Sequence, residues 1–214
     1  MSYDPALWRA TPFAWVSKGC VGLAAVLLAS SITTGSVSAA TTYSKAKLRS
    51  LLLTVSDLPS GWSIDNSSSN GNGPTPSCLS AYEHLRPNLT RADVEFWQDG
   101  SAPVFLEGVV AGGDDAHLYY ARATKALAGC SSISFTTQGL TLHGHMTGLS
   151  VPKVGNESRA YAFRFTFQGI PLFMDIDILR QGELVGTTIF VDLGSSESGT
   201  FTQLTREAVN KLKG

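Results

Sequence analysis

The 214-residue chain carries 16 Lys and Arg against 17 Asp and Glu, for a formal net charge of −1. That balance offers no basic surplus with which to hold a polyanion or an acidic membrane surface, so charge gives no support to a nucleic-acid partner. After the first forty residues about 175 remain, enough for a single domain with an ample core.

Residues 1–39 read as a secretory signal peptide. Arg9 and Lys18 precede the apolar run Val21 to Ala29, and small and hydroxyl residues follow up to Ser36-Val-Ser-Ala-Ala40, an A-x-A-like cleavage pattern. Cleavage after Ala39 or after Ala40 satisfies that pattern, and Ala39 is preferred. At roughly 12 to 15 residues the apolar run is short of the ~20 that span a bilayer, although an uncleaved anchor is the alternative. Cys20 lies ahead of the run, so it is not placed for lipid attachment. Residues 40–214 are then one exported α+β domain whose only thiols are Cys78 and Cys130. In an oxidising compartment these two are expected to form a disulfide.

Thr42 to Val55 reads as a helix with Leu48, Leu51, Leu52 and Val55 on its buried side. The turn Ser56-Asp-Leu-Pro-Ser-Gly-Trp62 delivers Leu58 and Trp62 to one patch, as an aromatic plug on the core or as a ligand-stacking ring. Residues 65–77 offer nothing large and apolar to bury and read as an exposed loop within the domain. A short helix over Cys78 to Leu85 leads to two strands, 92–98 and 104–110, joined by a longer loop at 99–103. Asp114 caps a helix reaching Ala128, with a stripe of Ala116, Tyr120, Ala123 and Leu127 ending on Cys130. Ser132 to Thr137 and Leu140 to Leu149 pair around Gln138-Gly139.

The most explicit stretch is Tyr161 to Val191. Alternation places Tyr161, Phe163, Phe165 and Phe167 on one face, and a turn at Gln168-Gly169 sets them opposite Ile176, Met174, Leu172 and Ile170. A second turn at Gln181-Gly182 pairs Ile178 with Val185, Ile176 with Thr187 and Met174 with Ile189. The opposite face, with Arg164, Thr166, Asp175 and Asp177, reads as a solvent face. A final helix starts near Gly199 with Thr200 and Gln203 at capping-box spacing, and buries Phe201, Leu204, Ala208 and Leu212. The fold class is α+β: an antiparallel sheet with a C-terminal three-stranded meander, packed by helices.

Chemistry is sparse. His143 and His145 share a strand face, but two ligands do not make a metal site. Asp175 and Asp177 also share a face, and a surface ion pair with Arg164 accounts for the first of them. Ser195 to Gly199 lacks the order of a nucleophile elbow, and no P-loop, G-x-G-x-x-G or H-E-x-x-H occurs. No catalytic residue, metal or cofactor is expected.

The run Leu52-Leu-Thr-Val-Ser-Asp-Leu-Pro-Ser-Gly-Trp62, a Cys near the start of the ordered domain, a strand pair, a helix ending in Cys130 and the closing strands and helix carry a resemblance. The chain resembles secreted actinobacterial proteins related to the extracellular sensor domain of PknH-type kinases, which have a PsbP-like α/β/α sandwich. It departs from the kinase sensors in offering one possible disulfide in place of two, and in lacking an attached kinase or transmembrane helix. The resemblance implies a secreted or cell-envelope location and a sensor-like, non-enzymatic role. The expectation is therefore binding of an unknown small molecule or envelope component, without nucleic acid and without stable membrane insertion. An envelope hydrolase and a purely structural module are the alternatives. Trp62, Trp97 and Tyr119, apolar residues not claimed by the paired rows, are the candidate ligand-binding residues, in a groove bordered by the 65–77 loop.

Overall fold

The computed structural model describes residues 43–64, 89–137, 140–167 and 169–214. The signal peptide, the 65–77 loop, the Cys78 to Leu85 helix and the Gln138-Gly139 turn lie outside them. Among the described residues the strands are β1 (Trp62–Ile64), β2 (Arg91–Gln98), β3 (Ser101–Ala111), β4 (Ser132–Thr137), β5 (Leu140–Leu149), β6 (Glu157–Phe167), β7 (Ile170–Gln181) and β8 (Leu184–Leu193). They form one antiparallel sheet in the order β1-β2-β3-β8-β7-β6-β5-β4. The helices are α1 (Lys45–Ser50), α2 (Ala116–Ala128) and α3 (Ser198–Leu212). The architecture is α+β, and β6, β7 and β8 are the expected C-terminal meander.

The first meander hairpin has the expected register, with Phe165 opposite Leu172, Phe163 opposite Met174 and Tyr161 opposite Ile176. The second is shifted by two residues. Gln181 pairs with Leu184, so Gly182-Glu183 is the turn, and Ile176 faces Ile189 in place of Thr187. Gly182, at φ 59, takes the first turn position, the arrangement of a II′ turn. A two-residue shift leaves each side chain on its own face, so alternation fits both registers equally. The β2–β3 connection is also tighter than expected: Asp99 and Gly100, at φ 50 and 70, make a two-residue turn in which β3 already begins at Ser101.

Both faces of the sheet are covered. On the first face α2 packs Tyr119, Ala123 and Leu127 against Tyr161, Phe163, Ile176, Ile178 and Ile189. The hydroxyl of Tyr161 donates to the carbonyl of Thr124 at 2.7 Å and pins the helix to β6. On the second face α1, the turn after it and α3 bury Leu48, Leu52, Phe201, Leu204 and Val209 against Val109, Phe96, Phe105, Phe190 and Leu179. The solvent face expected for Asp175 and Asp177 is therefore corrected: both are buried, at 2% and 1% exposure. Small residues admit this second layer. A Cβ at Gly186 would stand 2.7 Å from the Leu179 side chain and 3.5 Å from Leu212 of α3.

The helix ends depart from local pattern for tertiary reasons. α1 stops at Ser50, not Val55, and the chain turns away so that the Leu53 amide donates to the Glu107 carboxylate on β3 at 2.8 Å. α2 begins at Ala116 after a 3-10 turn, and no side chain caps it. α3 starts at Ser198 without the expected capping box, Thr200 donating to Glu197 at 3.0 Å instead.

Gly144, between the two histidines, has a packing role. A Cβ there would sit 2.4 Å from the Phe165 ring. Gly144→Ala should cost about 1–3 kcal/mol through overpacking, measurable as a lower urea midpoint.

Candidate functional site

The three aromatic candidates do not meet in one groove. Trp62 pairs with Gln98, whereas Trp97 pairs with Ser63, so the two indoles leave opposite faces of the sheet. Trp62 is 5% exposed and packs on Phe190, with ring centroids 6.4 Å apart, in the cluster shared with Phe96, Phe105 and Phe201. Tyr119, 8% exposed, belongs to the first-face core in the place the sequence gives to Tyr120, which is only half-buried. Positions three and four along a helix both lie near its packed stripe, and the seat of α2 over Gly112 selects Tyr119. Trp97 is half-buried on the first face, its indole N–H donating to Glu95 at 2.8 Å. The expected exposure of Trp62 and Tyr119 is thus corrected: a one-strand pairing and a helix seat bury them. Trp62→Ala should lose the ~3–5 kcal/mol of a core aromatic, and denaturant unfolding measures it.

His143 and His145 are exposed on the second face, with Arg164 opposite His145. Arg164 Nη1 donates to Asp175 Oδ1 at 2.8 Å, and its guanidinium lies 5.1 Å from the Phe173 ring centre. This is the expected pairing, with a buried carboxylate in place of a surface one. Among the described residues no three His, Cys, Asp or Glu side chains are grouped to hold a metal.

The most unusual chemistry lies between the sheet and α1 and α3. The register sets Asp177, Thr188 and Glu107 side by side on β7, β8 and β3. Glu107 is 3% exposed; its Oε2 accepts the Leu53 amide, and its Oε1 has no hydrogen-bond partner. Asp177 accepts a backbone bond from Arg159, and its Oδ1 is likewise unpartnered. Burial pushes both carboxyls up to about 7. Between them Thr188 shares a 2.9 Å hydroxyl–hydroxyl bond with Thr205 of α3.

Where the C-terminal ends of α1 and α3 meet lies an open groove of about 470 Å³, separated from Glu107 by Leu53, whose amide donates to that carboxylate. Lys47, Leu51, Leu53, Asp57, Glu207 and Lys211 line it. Asp57 holds the Lys211 ammonium and accepts from the Thr54 amide and hydroxyl at 2.7 and 2.6 Å. Lys211 first, then Thr54, draw the Asp57 carboxyl down to about 2. Sequence reasoning missed this place. Its one local signal is Glu107, a lone carboxylate inside the otherwise uncharged run Val104 to Val110.

No protein-family model matches the sequence, and a search of curated proteins returns no match. The fold is similar to that of the extracellular domain of PknH from Mycobacterium tuberculosis, known from a crystal structure. The TM-score is 0.60 at 13% identity, over 80% of this chain and 97% of that one. At that identity the likeness is one of fold. Among the described residues no helix is long and apolar enough to cross a membrane.

Proposed function

We propose that the chain is an exported, non-enzymatic, sensor-like module that binds a small molecule or envelope component outside the cytoplasm, and that the α1–α3 groove is its binding site. In this reading residues 1–39 are removed on export and Cys78 bonds to Cys130, which is fully buried just past the end of α2. The observation that carries the site is a 470 Å³ groove between the ends of α1 and α3 that combines apolar Leu51 and Leu53 with the charged Lys47, Asp57, Glu207 and Lys211. Concavity with a few convergent polar groups is the general form of a ligand site. The fold shared with a kinase's extracellular domain supports the sensor-like role. The hydrolase alternative has less support, because Asp175 is bonded to Arg164 and Asp177 lies within the buried layer.

Native mass spectrometry of protein purified from its own host tests the reading. Wild type should retain an added mass that Ser50→Trp, a bulky residue at an exposed groove position, abolishes without changing the fold. An added mass retained equally by Ser50→Trp would move the site elsewhere. Hydrolysis of an envelope substrate that is lost on replacing His143, His145, Asp175 and Asp177 by Ala would overturn the non-enzymatic reading.

A further inference from the structure

The two unpartnered carboxyls beneath α1 and α3 differ in what holds them. Asp177 accepts the amide of Arg159 on β6, a bond within the sheet. Glu107 accepts the amide of Leu53, which belongs to no strand or helix, at 2.8 Å. Among the described residues two polar contacts join residues 53–58 to the rest of the fold, the Leu53–Glu107 bond and the Asp57–Lys211 pair. Leu53 itself is buried, whereas the four residues after it are exposed. Glu107 is 3% exposed and its Oε1 has no partner. A neutral carboxyl fits this seat, but a carboxylate with one donor would place a full charge in an apolar layer, a far larger cost. The groups that face it do not cancel that charge. Lys211 from α3 is already held by Asp57, whose own negative charge opposes ionisation of Glu107. Thr188 faces it from β8, with Asp177 beyond on β7, and Val94 faces it from β2. From α1 the buried side chain is Leu48, and Lys45, Lys47 and Arg49 are exposed.

We propose that residues 53–58 are a proton-operated latch: a neutral Glu107 keeps the Leu53 amide and its segment seated, and an ionised Glu107 releases them so that water reaches the carboxylate. Leu53 and Asp57 line the groove between α1 and α3, so release dismantles that wall. Only this consequence, regulation of a binding site, rests on the reading of the groove; the latch itself needs no ligand. Burial lifts the Glu107 carboxyl from 4.5 to about 7. The seated form is therefore favoured in full below the ordinary value, and release grows as pH rises, levelling off above about 7. Those two values make the opening equilibrium larger by roughly 300-fold at most on the alkaline side. Asp177 has no such outlet, because its partner lies in a strand paired on both sides.

Amide hydrogen exchange of the 15N-labelled protein between pH 5 and 8, corrected for the intrinsic exchange rate, tests the latch. Protection of the Leu53 amide should fall by about a hundredfold across that range. The fall should be the same in urea too dilute to unfold the chain, since a local release exposes little surface. Glu107→Gln should keep the Leu53 amide equally protected throughout. Asp177→Asn, which removes the carboxyl held within the sheet, should leave the fall intact. If Glu107→Gln does not fold, the urea comparison and Asp177→Asn carry the test. Level protection of Leu53 in wild type would overturn the latch. So would a fall that steepens with urea or is diminished in Asp177→Asn, since either marks unfolding of the whole domain. None of these outcomes bears on the groove as a binding site, which the retained-mass experiment decides.

Discussion

Raising the pH from about 4 to 8 should destabilise the fold by on the order of 3 kcal/mol for each of two buried carboxyls, Glu107 and Asp177. Burial lifts them from ordinary values of 4.5 and 3.8 to about 7. The folded state therefore keeps protons that the unfolded chain gives up. The stabilisation is complete below the ordinary values, declines through the interval, and is gone once pH passes about 7. Asp57, drawn down to about 2, works in the opposite sense, but its contribution is lost only as pH falls through that value. Urea midpoints measured across the window should fall steadily in wild type. Glu107→Gln and Asp177→Asn should each flatten the profile and leave the protein more stable than wild type at the alkaline end. A wild-type profile that is level from acid to alkaline would mean that neither carboxyl is held neutral.

Reduction of the proposed Cys78–Cys130 bond should cost about 4 kcal/mol, because such a bond closes a loop of about fifty residues and restricts the unfolded chain. In a domain of this size that corresponds to a melting temperature lower by about 8 to 16 °C. Cys130 is fully buried and its amide donates to the Leu127 carbonyl at 2.9 Å, so the bond would fasten the far end of α2. Non-reducing peptide mapping should recover Cys78 joined to Cys130. Two thiols open to alkylation in native exported protein would refute the pairing.

The meander was legible because alternation, aromatic pairing and glycine turns all point to one face. Its second hairpin was legible only to within two residues, since Ile178 meets an acceptable neighbour in Val185 or in Thr187. The other face was not legible. Ala160, Gly186, Thr188 and Asp177 look like ordinary solvent-side residues, and only the packing of Phe201 and Leu204 from the distant α3 makes them a core layer. Trp62 was misplaced for the same reason, as its seat against Phe190 joins residues far apart in the chain. The groove was invisible because the Leu53–Glu107 and Asp57–Lys211 bonds span 54 and 154 residues.

The most direct test of the binding reading is an amide NMR titration of the labelled domain with the small-molecule fraction of its host's envelope. Shifts should be confined to Leu51, Leu53, Asp57, Glu207, Asn210 and Lys211, around the groove, and should disappear in Ser50→Trp. Shifts centred on Trp97 and α2, across the sheet from the groove, would contradict the account.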